Sequence, residues 1–418
     1  MLRISVVLPV PVLPKMRLRT SGGSEAGGGL FPQNGAPYGF RLTNFLNPLG
    51  MPCWKPPYGT MSAVDLKTGE TLWKEPFGQV QKWGFYMPES WGSPTIGGPV
   101  LTKSGLIFIG ASMDARVRAL DAKTGAVLWD AEVADEGTGY SITAAPLIVG
   151  DKIMTGVGGG EYGIRGFVDA YEAETGELAW RLYTIPGPDH PDNVTWAGNS
   201  WRTGGSSSWM TGSYDPELNL VYWGTGNPGP DWNGDVRMGD NLYSDAVLAI
   251  NPDTGEMVWY FQFTPHDVHD WDATQIPILA DSEFDGRQRK LMLWPNRNAF
   301  FYVLDRVTGE FLLGEPYAKQ TWAEGLDEAG RPIRIPGTFP SVEGTTVSPP
   351  IGGGTNWWSP SYSPRTDLLY VMAYGRETTF CIRDDEYVAG ERFTGGGGST
   401  PLPQDNYVSA LRAISPQT

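Results

Sequence analysis

Apolar and polar positions alternate along the chain in short runs, and the same turn breaks the alternation again and again. The phrase reads AVDLKTGETLW at residues 63–73, ALDAKTGAVLW at 119–129, AYEAETGELAW at 170–180 and AINPDTGEMVW at 249–259. A weaker copy, VLDRVTGEFLL at 303–313, lacks the tryptophan, and AISPQT at 413–418 stops where its glycine should come. An apolar run, an Asp/Lys-Thr-Gly turn and a second apolar run ending on a large aromatic predict a tight β-hairpin with glycine at positive φ. Recurrence at roughly 50 to 80 residues predicts a radial array of four-stranded blades, because one blade cannot bury both faces alone. The expected fold is therefore all-β, a β-propeller of about six blades. Its repeats cover residues 63–418, and residues 1–62 form an irregular N-terminal segment and the start of the first blade.

Composition agrees with one repeat domain rather than several. The 418 residues include 55 glycines, 35 prolines and 17 tryptophans, which fits a turn-rich chain with a large aromatic core and little helix. A formal charge of −16 speaks against nucleic acid and anionic membrane surfaces, both of which reward clustered Lys and Arg. Cys53 and Cys381 form no CxxC or CxxCH pattern and there are three histidines, so a zinc ribbon, a covalently attached haem or a His-rich metal site is not expected. The first residues, MLRISVVLPVPVLPKMRLR, carry an apolar run that prolines interrupt, and they do not read as a signal peptide. No stretch reaches the roughly 18 apolar residues of a spanning helix.

Three segments depart from the repeat. Residues 20–60 are rich in glycine, proline and asparagine, residues 187–209 lengthen the third interval, and residues 376–398 read as an exposed flap ending in four glycines. Long loops in a compact array are usually functional.

Chemistry concentrates between the repeats. In TGVGGGEYGIRG (155–166) three glycines precede Glu161, so backbone N–H groups can approach an anion while the carboxylate meets a cation. In WGTGNPGPDWNGD (223–235) the amide of Asn227 sits on a rigid turn, a good hard-cation ligand; an ordinary Asn-Pro turn reads the same way. TPHDVHDWDATQ (264–275) places Asp267, Asp270 and Asp272 within six residues. Such carboxylates repel unless a cation or a proton relieves them, and the interleaved Trp271 argues against full exposure. Arg297 precedes an apolar strand in WPNRNAFFYVLDR (294–306), and GGTNWWSPSYSP (353–364) sets Asn356 and Trp357 before another. Together these supply a hard-cation site beside broad aromatic faces.

In combination these motifs, with TWAGNSWRTGG at 195–205, resemble the pyrroloquinoline quinone (PQQ) dependent alcohol dehydrogenases of the methanol/ethanol type over residues 119–418. The resemblance implies an eight-bladed propeller with the quinone on its axis. It also implies Glu161, Asn227 and Asp270 around a metal ion, and Asp270 as catalytic base. Arg297 matches the arginine that bonds the quinone oxygens, Trp209 the stacking tryptophan, Gly160 a backbone donor to a quinone carboxylate, and Thr143, Asn356 and Trp357 further cofactor contacts. Asp272 resembles the fourth charged ligand of the lanthanide-using branch, so the ion is calcium or a lanthanide. A small alcohol as substrate, an external electron acceptor such as cytochrome c or a quinone, and a periplasmic site of action follow from the same resemblance.

The chain departs from that pattern in length, with five repeats and a partial sixth. Its first hundred residues resemble blades near the C-terminal end of membrane glucose dehydrogenase relatives, as in a permuted or partly deleted propeller. An open ring would expose an edge strand able to pair with a second copy. The adjacent cysteines that many members place near the quinone are missing. The rival reading is a non-catalytic propeller scaffold for protein partners, or an inactive fragment of a quinoprotein; a plain scaffold has no need of Glu161, Asn227 and Asp270.

Overall fold

The computed structural model describes residues 46–48, 51–82, 85–399 and 409–417, together with the backbone of Leu2–Ser5, Arg19–Thr20, Leu30–Pro32 and Tyr38–Arg41. About half of the irregular segment expected over residues 20–60, and most of the proline-interrupted leader, lie outside these described residues.

Each repeat phrase is a hairpin, and the hairpins share one register. Ala63 faces Trp73, Ala119 faces Trp129, Ala170 faces Trp180, Ala249 faces Trp259 and Val303 faces Leu313, each followed by a one-residue shift in pairing. The turn glycines Gly69, Gly125, Gly176, Gly255 and Gly309 all lie at φ between 74° and 79°, a conformation that costs any residue with a Cβ. The Thr-Gly signature is thus a backbone requirement met five times.

These hairpins are the last two strands in five of six successive antiparallel sheets. The first comprises Leu2–Ser5, Thr60–Asp65 and Thr71–Pro76. Four four-stranded sheets follow: Val100–Leu101 to Val127–Glu132, Leu147–Val149 to Leu178–Tyr183, Ser213–Asp215 to Met257–Gln262, and Ile278–Phe284 to Phe311–Pro316. The sixth has three described strands, Ser361–Ser363, Leu368–Tyr374 and Ser409–Ile414. Helix is confined to short 3₁₀ turns among the described residues, as the composition predicts.

The tryptophans do more than end hairpins. A Cβ on Gly125 would lie 2.9 Å from the ring of Trp73, and the same relation joins Gly176 to Trp129, Gly255 to Trp180 and Gly309 to Trp259. Each ring therefore packs flat on the turn of the next sheet. Its indole N–H donates to a carbonyl of that turn: Trp73 to Ala122 (3.0 Å), Trp129 to Ala173 (2.9 Å) and Trp180 to Pro252 (2.8 Å). At the next interface the equivalent carbonyl, on Arg306, is taken by the hydroxyl of Tyr222 at 2.7 Å, and the Trp259 indole has no partner. In the fifth sheet Phe311 covers Gly330 of an inserted hairpin, Ala323–Leu326 with Pro332–Arg334.

The middle strands Leu220–Gly224 and Ala246–Ile250 are wholly buried, whereas the last strands alternate toward solvent. Apolar clusters form between successive sheets, such as Val149, Met154 and Val168 against Val221, Trp223 and Leu248. Among the described residues no such cluster joins the sixth sheet to the first.

Candidate active site

The meander order places the start of strand one, the end of strand two and the start of strand three at the same end of every sheet. The repeat turns lie at the opposite end. Every chemical motif found in the sequence sits at the first end. Thr143 precedes the third sheet, and Glu161 lies between its second and third strands. Trp209 precedes the fourth sheet and Asn227 lies between its middle strands; Asp270 and Asp272 precede the fifth and Arg297 lies between its middle strands; Trp357 precedes the sixth. Residues scattered over more than two hundred positions therefore converge because the topology repeats.

The loops interlock by backbone. Ser206 N–H donates to the Asn227 carbonyl (2.9 Å), Ser208 N–H to the Val157 carbonyl (2.8 Å) and Ala273 N–H to the Thr225 carbonyl (3.0 Å). The segment entering each sheet crosses against the end of the preceding one so closely that a Cβ on Gly156 would lie 1.9 Å from the Ser208 carbonyl oxygen, and one on Gly224 2.1 Å from that of Ala273. Only glycine permits that approach.

Glu161 rides on the single 3₁₀ turn Gly160–Tyr162. Asp270 sits in a left-handed conformation (φ 62°) within a loop whose neighbours are pinned. Asp267 accepts the backbone N–H groups of His269 (3.1 Å) and Trp271 (2.9 Å), so this carboxylate organises the loop and is absent from the cavity wall. Trp271 is fully buried, stacks on His269 with ring centroids 4.2 Å apart, and donates to the Pro350 carbonyl. Burial pushes the His269 imidazole down to about 3, so it is a neutral packing group.

A cavity of about 680 Å³ opens at this end of the sheets and is lined by Glu161, Asn227, Asp270, Asp272, Arg297 and Trp209, with Thr143, Gly160 and Trp357 at its sides. Asn356 is not part of the wall. Its amide donates to the Gly352 carbonyl (2.9 Å) and accepts the Trp357 N–H (2.8 Å), so it shapes the loop that presents Trp357. Thr143 likewise holds its neighbour, donating from Oγ1 to the Trp209 carbonyl at 3.0 Å.

Arg297 is the positive centre of the cavity. Its guanidinium donates to Asp272 Oδ2 and to the Ile351 carbonyl (2.7 Å), and it stands 3.7 Å from Asp270 Oδ1. Asp272 also accepts the Asn227 backbone N–H (2.9 Å) and the Trp209 indole (3.2 Å), so it joins three cavity elements. The Asp270 side chain keeps 25% of its surface open to the cavity. Burial raises its affinity for a proton; Arg297 opposes the shift, and Asp272, Asp231 and Glu161 reinforce it.

Two further residues carry little sequence signal, Asp231 within the 223–235 motif and Arg237 just beyond it. Asp231 is buried and accepts from Asn227 Nδ2 at 3.0 Å. Arg237 is fully buried and ties the Asn227 loop to the Asp270 loop. It donates to the carbonyls of Pro230 (3.1 Å), Asp231 (3.3 Å) and Asp267 (2.6 Å), and to Asn241 (2.9 Å). An acid four positions after Asn227, between a proline and a tryptophan, was the available sequence clue to the first.

The segment over residues 376–398 is not a free flap. Thr378–Ile382 and Gly396–Ser399 pair in a separate three-stranded sheet with Thr345–Val347, and Phe380 packs edge-on against His269. Phe393 N–H donates to the Glu161 carbonyl (2.7 Å), and Thr394 accepts the Trp232 N–H. The charges that make it look exposed, Arg383 and Asp385, are used internally: Asp385 accepts from Arg383 and from the Gly395 N–H.

Among the described residues no three acidic, histidine or cysteine side chains are gathered into a ready-made metal cage. The donor chemistry nonetheless fits a hard cation. Glu161, Asn227, Asp270 and Asp272 face one space, and a buried carboxylate oxygen of Asp231 has no hydrogen-bond partner. A cluster of acids with so few cations is completed by positive charge.

Residues 13–143 and 133–315 match the family described as PQQ: glucose/ethanol/alcohol dehydrogenase, beta-propeller domain. The chain is 38% identical over 387 residues to quinoprotein alcohol dehydrogenase PedH of Pseudomonas putida, covering 86% of this chain and 63% of that protein. It is 42% identical over 328 residues to quinohemoprotein alcohol dehydrogenase ADH IIB of the same species, covering 74% of this chain and 47% of that one. Among solved structures, a europium-containing methanol dehydrogenase superposes with a TM-score of 0.76 at 32% identity, covering 85% of this chain and 65% of that chain. The chain thus spans about half to somewhat under two thirds of the length of these curated relatives. Sheet array, cavity residues and sequence similarity agree that this chain belongs to the PQQ-dependent alcohol dehydrogenase family of β-propellers.

Proposed function

We propose that this chain oxidises a primary alcohol to an aldehyde in the cavity described, with PQQ and a calcium or lanthanide ion as cofactors. The observation that carries the reading is the convergence of Glu161, Asn227, Asp270, Asp272 and Arg297 on one wall. Glu161, Asn227, Asp270 and Asp272 would hold the cation, with Trp209, Trp357, Thr143, Gly160 and Arg297 around the quinone. Bound there, the quinone supplies the two-electron acceptor and the cation a Lewis acid.

The residues of the chain do the rest. Asp270, partly open to the cavity, takes the hydroxyl proton of the substrate as hydride leaves the adjacent carbon. A carboxylate whose proton affinity is raised by burial is the better base for that task. Arg297 fixes Asp272 and stands beside Asp270, so it holds the acid cluster in register and offers a fixed positive charge to a developing oxyanion. The apolar share of the wall, which includes Ile96 and Met210, gives the carbon skeleton of the substrate an apolar surface to lie against.

Electrons leave to an external acceptor such as a cytochrome c or a quinone, and the site of action is the periplasm. The strand Ser409–Ile414, paired on one side only among the described residues and exposed at Leu411, offers an edge through which two copies associate.

Dye-linked ethanol oxidation by protein loaded with PQQ and either calcium or lanthanum tests the reading. Turnover is expected, and Asp270→Asn is expected to lose at least about a hundredfold in rate while still binding PQQ. An Asp270→Asn protein as fast as the parent would remove Asp270 from the base role.

A further inference from the structure

Asn227 can bind a cation through its amide oxygen alone, so something must hold the amide the right way round. Its Nδ2 donates to Asp231 Oδ1 at 3.0 Å, with a weaker contact to the Pro228 carbonyl at 3.4 Å. The amide nitrogen is thereby turned into the protein. Asn227 Oδ1 faces the cavity beside Gly160, where a Cβ would lie 4.0 Å from it.

Asp231 itself is 1% exposed, and its second oxygen has no partner at all. A buried carboxylate oxygen left bare is costly unless a positive charge lies near. Arg237 does not supply a contact, because it reaches the Asp231 backbone carbonyl and not the side chain. Asp272 is in the opposite condition: Arg297, Trp209 and the Asn227 N–H already occupy its oxygens. The acid behind Asn227, rather than the one beside Arg297, thus has an oxygen free to answer a cation.

We propose that Asp231 is a positioning residue of the cation site, which orients the Asn227 amide oxygen toward the ion and adds a buried negative charge that favours a trivalent over a divalent cation. This rests on the reading above that the cavity binds a metal. The charge count supports it. Of the side chains of Glu161, Asp231, Asp270 and Asp272, those of Asp270 and Asp272 have the guanidinium of Arg297 within 4 Å, while Arg237 reaches only the backbone carbonyl of Asp231. Four carboxyl groups with one guanidinium at their side chains suit a trivalent ion better than a divalent one, since charge and ligand number set affinity for hard cations.

The test is displacement of terbium, read by luminescence sensitised through the cavity tryptophan, from the full chain in the presence of PQQ, by lanthanum and by calcium. Asp231→Asn keeps the shape and can still accept from Asn227, so it is expected to weaken lanthanum at least about tenfold and calcium less than about threefold. Asp231→Ala also releases Asn227 and is expected to weaken both. Should Asp231→Asn not fold, Asp231→Ser carries the same expectation of a reduced lanthanum-to-calcium ratio. Wild-type protein that binds terbium, with an Asp231→Asn ratio equal to its own, would overturn the role of Asp231 alone. Wild-type protein that binds none of the three ions would overturn the metal reading and this inference together.

Discussion

Arg237 shows how a single side chain can position a cavity whose wall it does not line. Its fork reaches the carbonyls of Pro230, Asp231 and Asp267 at once, and burial pulls its own pKa down to about 10. Arg237→Ala would leave these carbonyls unpaired in the interior, so it is expected to cost about 3 kcal/mol or more in urea unfolding. Arg237→Lys is expected to recover little, because a point charge cannot serve three divergent acceptors. Such a residue is hard to read from sequence, since an arginine among glycines and aspartates looks like any solvated loop charge. Glu161, Asn227 and Asp270 were legible because each stands in a motif whose glycines, proline or acids already limit the backbone. Asn356 was read as a cofactor contact for the same reason, and the structure gives it to its own loop. Asp267 looked like one of three equivalent acids until its backbone partners set it apart.

At the scale of elements, the tryptophan of each repeat couples one sheet to the next through packing and one hydrogen bond. Trp129→Phe and Trp180→Phe should therefore destabilise the protein by about 1 kcal/mol more than Trp259→Phe, whose indole has no partner to lose. Equal losses in the three variants, measured by urea unfolding, would contradict the docking account. The hairpins themselves were plain in the sequence, because Thr-Gly at fixed spacing encodes a turn that only local backbone chemistry decides. The docking was not, because it depends on which turn lies opposite, a long-range fact. Glu136 gives a second element-scale expectation. On the short turn Glu136–Thr138, burial, with Asp114, Asp135 and Glu132 nearby, pushes its carboxyl up to about 7 against the N–H of Gln81. The folded state then holds a proton that the unfolded chain releases near its ordinary value of about 4.3. Stability should fall as pH rises from there through about 7. Glu136→Gln should flatten that slope, so the variant gains melting temperature over the parent at pH 8 and not at pH 4. The same melting curve for both proteins at each pH would refute it.

For the whole molecule, the decisive feature is that the sheets lining the cavity contribute their chemistry at the same end. Six sheets in sequence, four of them with all four strands, are enough to bring the third, fourth and fifth around one cavity with the sixth supplying Trp357. Number and type of blade could be read from the repeat spacing. The three-stranded sheet that carries residues 378–382 and 396–399 could not, because its glycines and charges mimic a solvated loop while its Phe380 and Phe393 reach inward. If the excess of buried acid is the mark of a cation site, ion binding must stabilise the fold. Lanthanum at about a hundred times its dissociation constant is expected to add about 2.7 kcal/mol, seen as a rise in melting temperature absent from the Asp270→Ala, Glu161→Ala double variant.

The central claim is that this array holds the quinone, and equilibrium titration of the purified chain with PQQ, with and without calcium or lanthanum, tests it most directly. Saturable binding of one PQQ per chain that strengthens when either ion is added is the predicted result. A folded protein that binds no PQQ at any ion concentration would contradict the account.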